Sequence, residues 1–149
     1  MRPVLKAAVA AFAFALLAAP ATAAQPGWAG TEAGKPALGG HDPVSYFNGA
    51  PVAGSPDFAL VHEGATLLFA TAENRARFAA DPKAFAPQYR GFCAWAASQK
   101  RLSVADPKIW KIVDGKLFVN CSPVAETSWL ADRDGNIAKA DAYWASLAE

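Results

Sequence analysis

Two cysteines and two histidines are the side chains of this 149-residue chain that could act as soft-metal ligands or redox centres. Cys93 lies in Arg90-Gly91-Phe92-Cys93-Ala94-Trp95, where glycine permits close backbone approach and the flanking aromatics would shelter sulfur from bulk water. Cys121 lies in Val119-Asn120-Cys121-Ser122-Pro123. The pair leaves three outcomes open. With Cα atoms about 4.4 to 6.8 Å apart, a disulfide is geometrically accessible; it would close a loop of about 28 residues and contribute about 3 kcal/mol. Two neighbouring thiolates would instead form a soft two-coordinate site suited to Cu(I). Two distant thiols would be inert packing. His41, before Asp42-Pro43, and His62, before Glu63-Gly64, are candidate partners because imidazole ligates copper and zinc. Isolated histidines at turn-like places also read as solvent-facing or capping residues.

Other chemistries find less support. Asp132-Arg133-Asp134-Gly135-Asn136 looks superficially like a calcium loop, but its glycine falls two positions early for an EF-hand and no Glu stands at the twelfth position. Asp134 or Asn136 is expected to cap a helix instead. No Gly-x-Ser-x-Gly turn and no glycine-rich phosphate loop is present. Five tryptophans are many for this length and read as core or rim residues, with Trp110 and Trp129 placed where a hairpin meets a helix.

The elements that must position these residues follow a leader. Arg2 and Lys6 precede an uncharged run from Ala7 to Ala19, then Pro20 and Ala21-Thr22-Ala23, the layout of a secretory signal cleaved after Ala23. The run is short of the ~20 residues a membrane-spanning helix needs, so a soluble exported protein without stable membrane insertion is expected, with an uncleaved N-terminal anchor as the alternative. Arg2 and Lys6 leave with the leader, and 14 basic side chains become 12 against 13 acidic ones. That balance, without any basic cluster, argues against nucleic-acid binding. An exported location puts both cysteines in an oxidising compartment, where free thiols are buried, metal-bound or recycled.

Residues 24–37, rich in Ala, Gly and Pro, read as a flexible lead. One domain occupies 38–149. Val44 to Phe47 reads as a short strand before the Asn48-Gly49 turn signal. Phe58 to Val61 and Thr66 to Phe69 read as an antiparallel pair, and Trp110 to Asn120 as a hairpin about Asp114-Gly115. Thr71 is placed to cap a helix, Pro82 to open a second and Pro87 to end it. Further helices are expected over Val124 to Leu130 and Asn136 to Leu147. The sum is an α+β fold, a small antiparallel meander or hairpins with helices on one face. No internal repeat is visible.

The order of these elements, with the run from Gly64 to Ala94, resembles the YHS domain family, in particular its secreted bacterial branch with a Gly-aromatic-Cys-Ala segment. The resemblance covers most of the mature chain. In that branch the position matching Cys93 is regularly Cys and in some members selenocysteine, which implies a redox or metal-binding role for Cys93. Relatives more often carry an aromatic at the place of Cys121. The family's metal pattern, a strand ending in Phe-Cys with another Cys four residues on, is here Phe69-Ala70 and Asn74, so both of its sulfur ligands are missing. His41 stands where the family often has Tyr.

The leading expectation is an exported, non-enzymatic binding protein for a soft transition metal, copper above all. Cys93 would be the primary ligand, with Cys121, His41 or His62 as partners. The rival is a periplasmic thiol redox protein cycling Cys93 through a sulfenic acid or a disulfide with Cys121, served by a redox partner. A plain interaction domain is the third reading.

Overall fold

A computed structural model describes residues 24–149, so the leader expected over residues 1–23 lies outside the described residues. The fold is α+β. Strand β1 (Ser55–His62) pairs antiparallel with β2 (Ala65–Phe69), and β3 (Asp106–Val113) with β4 (Lys116–Asn120), as two separate two-stranded sheets. Each hairpin turns on an acidic residue and a glycine, both at positive φ: Glu63 and Gly64 at 47° and 80°, Asp114 and Gly115 at 49° and 73°. That is the backbone a two-residue hairpin matching the strand twist requires. The expected pairs Phe58 to Val61 with Thr66 to Phe69 and Trp110 to Val113 with Lys116 to Asn120 fall within these ladders.

Helix α1 (Ala72–Ala80) starts at Thr71, whose hydroxyl accepts the Asn74 N–H at 3.0 Å. Helix α2 (Pro82–Phe85) is capped by Asp81 and has proline in its first turn, where the missing N–H costs nothing. Helix α3 (Ala94–Ser98) begins directly after Cys93. Helix α4 (Pro123–Ala131) is capped by Ser122, whose side chain accepts the Ala125 N–H at 3.1 Å. Helix α5 (Arg133–Ser146) starts three residues ahead of the expected Asn136. Asp132 is its cap, accepting the Gly135 N–H; Asn136 is buried and donates to the Trp129 carbonyl at 3.0 Å.

Two further expectations are corrected. Ser45–Asn48 forms a 3-10 turn instead of a strand, because the buried Asp42 side chain takes the Val44 and Ser45 N–H groups and curls the chain locally. The 24–37 segment packs instead of trailing. Trp28, Ala29 and Ala37 are buried, the Ala29 N–H donates to the Arg90 carbonyl, and the Arg90 guanidinium donates to the Pro26 carbonyl at 2.7 Å.

The core has two main bodies. Trp28, Val44, Leu67, Phe69 and Phe78 pack under the first hairpin. Tyr89, Phe118, Trp129 and Ala140 pack under the second, with α3, α4 and α5 around them. Leu38, Tyr46, Leu117 and Val119 join the two halves, and the Tyr46 hydroxyl crosses between them to donate to the Pro107 carbonyl at 2.7 Å.

An internal repeat, invisible in the residue types, governs this layout. Moving Ser55 to Asp106 and Phe69 to Asn120 is a shift of 51 positions, and the same shift carries the β1–β2 hairpin, its turn and its register irregularity onto β3–β4. It carries α1 onto α4 and the caps Thr71 and Asp81 onto Ser122 and Asp132. The left-handed run Leu38-Gly39-Gly40 (φ 54°, 57°, 80°) becomes Tyr89-Arg90-Gly91 (55°, 51°, 81°). The isolated bridge His41 to Ala53 becomes Phe92 to Val104.

Candidate functional site

Cys93 and Cys121 meet where α3 begins and β4 ends. Left-handed Tyr89, Arg90 and Gly91 turn the chain sharply ahead of Cys93, and its N–H donates to the Ser103 carbonyl at 2.9 Å. The Cys93 side chain thus points under α3, among Ala96, Ala125 and Trp95, and is fully buried. Cys121 follows the last residue of β4, in the two-residue link to α4, and is partly exposed. Both are free thiols.

The sulfurs are 2.8 Å apart, with the Cys93 thiol directed at Cys121 Sγ. The Cys121 backbone N–H in turn donates to Cys93 Sγ at 3.1 Å. Asn120, fully buried, places Oδ1 3.8 Å from Cys93 Sγ and accepts the Trp95 N–H at 3.0 Å. Its Nδ2 has no hydrogen-bond partner among the described residues. Burial pushes the Cys93 thiol up from 9.0 to about 11, and the hydrogen bond with Cys121 adds to the shift while the Ala96 N–H opposes it. Desolvation wins because the thiolate alone carries charge.

The two histidines stand elsewhere. His41 follows the left-handed turn of the first half, and its Nδ1 is 3.0 Å from the Leu38 carbonyl. His62, at the end of β1, packs edge-on against Phe78 and Trp28 and lines an open cavity of about 430 Å3 with Lys83 and Arg90. Neither cysteine lines that cavity. Among the described residues no three His, Cys, Asp or Glu side chains gather as a metal-holding group, so neither histidine completes a set with the two sulfurs.

Asn120 and Asp42 are the polar residues that sequence reasoning passed over. Asp42 is fully buried. Its Oδ1 accepts the Val44 and Ser45 N–H groups at 2.8 and 3.3 Å, and its Oδ2 accepts the Ala70 N–H at 2.9 Å and the Asn74 amide at 2.7 Å. The available signal was one polar residue closing the apolar run Leu117-Phe118-Val119-Asn120, and one acid ahead of Pro43-Val44. The chain matches no family model, no curated protein and no solved structure.

The arrangement brings together a buried sulfur and a partly exposed one, with no third ligand among the described residues. It can make or break one S–S bond, or hold a soft ion at low coordination number.

Proposed function

We propose that this is an exported, YHS-like thiol protein whose Cys93–Cys121 pair cycles between dithiol and disulfide by exchange with a partner's disulfide. The observation that carries this reading is the 2.8 Å sulfur contact. A metal bridging two thiolates needs two bonds of about 2.3 Å, as in zinc–thiolate sites, and a near-linear bridge would hold the sulfurs well beyond this contact. The pair lies nearer to the ~2.04 Å of a disulfide.

Accessibility orders the steps. The Cys121 thiolate attacks the partner's disulfide, forming a mixed disulfide and releasing one partner thiolate. Cys93, held beside Cys121, then gives its proton to the first released partner thiolate, and the Cys93 thiolate attacks Cys121 Sγ and releases the second partner thiolate. Two S–H bonds break and one S–S bond forms in this chain, while the partner's disulfide takes up two electrons and two protons. The role of first contact thus passes from Cys93, the sequence favourite, to Cys121.

The test is intact mass after equilibration across a series of glutathione redox buffers and acid quenching. A loss of two protons in one transition, abolished in Cys93→Ser and in Cys121→Ser, is the expected result. Two alkylatable thiols at every poise would reject the reading.

Copper handling is the second reading, favoured by the shielding of Cys93 from water and by a set of two sulfurs that no third ligand joins among the described residues, which suits Cu(I) over zinc. Retention of one Cu(I) by the reduced protein against a moderate chelator, lost in Cys93→Ser, would promote it. His41 and His62 have no part in that version.

A further inference from the structure

The shift of 51 positions reaches the site itself. Cys93 falls on Asp42, Cys121 on Ala70 and Ala125 on Asn74. The backbone bonds agree: Asp42 N–H to the Val52 carbonyl and Cys93 N–H to the Ser103 carbonyl are both 2.9 Å. The Ala70 N–H donates to Asp42 Oδ2, and the Cys121 N–H donates to Cys93 Sγ. One half therefore ties the segment after its left-handed turn to the end of its second strand with a carboxylate, a backbone N–H and the Asn74 amide. The other half makes the same tie with two sulfurs and the same backbone N–H. The exchange also conserves space: where Asn74 reaches Asp42 from the helix, Ala125 is small and the Cys121 side chain supplies the second group from the strand end.

We propose that the chain is a tandem duplication carrying two copies of one clasp, a permanent one at Asp42, Ala70 and Asn74 and a redox-switchable one at Cys93 and Cys121. Oxidation fastens, and reduction loosens, the junction of α3, β4 and α4 alone. The switchable part rests on the dithiol reading above; the equivalence of the two clasps does not. The bond made on fastening is the S–S bond, with two electrons and two protons passing to the partner's disulfide as before.

The equivalence is tested by exchanging the clasps. Asp42→Cys with Ala70→Cys and Asn74→Ala, made in the otherwise native chain, is expected to form a second disulfide, between positions 42 and 70, mapped by peptide mass. Unbridged sulfurs there in folded protein at the oxidising end of the glutathione buffer series would overturn the equivalence. Should that variant not fold, the reverse exchange decides. Cys93→Asp alone buries a carboxylate with too few donors, and adding Cys121→Ala and Ala125→Asn is expected to restore most of the lost thermal midpoint. No recovery would overturn the equivalence. Hydrogen exchange of the native chain then reads the switch. Reduction is expected to raise exchange at the amides of residues 94–98, 121–122 and 124–125 at least tenfold and to leave those of 44–48 and 70–74 unchanged. A uniform change, or none, would reject the switch while leaving the paired clasps standing, and failure of the native cysteines to cycle at all would reject the dithiol reading separately.

Discussion

Burial holds the reduced Cys93 as a thiol up to about pH 11, against 9.0 for the unperturbed group, and this has a consequence for stability. The folded state binds the proton more tightly than the unfolded chain, so the contribution is complete below pH 9 and is lost as pH rises through about 11. Urea melts of reduced protein are expected to weaken from about pH 9, and melts of the disulfide form to weaken less and only from about pH 10.0, where the Tyr46 and Tyr89 hydroxyls, both pushed up by burial, begin to contribute in either form. Asp42 makes a separate demand. Asp42→Ala takes the carboxylate acceptor from the Val44 and Ala70 N–H groups and the Asn74 amide, and a loss of about 3 kcal/mol in the same melts is expected. Both residues show what was legible at this scale. Cys93 was marked by residue type and neighbours. The buried acid was not, because an Asp before Pro reads as a turn residue until the N–H groups folded round it are seen.

Helix caps give the elements a sharper test. Thr71 and Ser122 occupy equivalent positions and each accepts one N–H of the first turn, so Thr71→Ala and Ser122→Ala should each cost about 1 kcal/mol. A large cost for one and none for the other would contradict their equivalence. The hairpins, α1, α2 and the Thr71 cap were legible because turn residues and caps act through a few adjacent positions. Ser45–Asn48 and the start of α5 were misread where a capping carboxylate just ahead of the apolar pattern decides. Asp42 curls the first, and Asp132 opens the second one turn ahead of the apolar periodicity. The packing of Trp28 and Ala29 depends on Arg90, far along the chain, and no local composition announces it.

Across the whole molecule, the duplicated plan escaped the sequence because the halves share few residue types. Between 36–85 and 87–136 the matches are Pro36 with Pro87, Gly40 with Gly91, Pro56 with Pro107, Gly64 with Gly115, Ala80 with Ala131 and Asp81 with Asp132. Most of these sit at turns, a cap or a strand start, where backbone geometry restricts the choice. Several core positions kept only their apolar character, Leu67 with Phe118 and Phe78 with Trp129, all four buried, while buried Phe69 stands opposite buried Asn120, because packing tolerates exchange when volume is accommodated. Trp129→Ala should therefore cost about 3 to 5 kcal/mol in thermal or urea melts, as removal of a fully buried Trp does.

The most direct measurement is the reaction of the reduced, folded protein with an aromatic disulfide whose thiolate product is coloured, followed by intact mass. The wild type is expected to release two coloured thiolates per chain and finish two protons lighter with no adduct, because Cys93 displaces the second from Cys121 Sγ. Cys93→Ser should release one and keep the other as an adduct at Cys121. A wild-type chain that keeps a lasting adduct on Cys121, with Cys93 still free, would contradict the account.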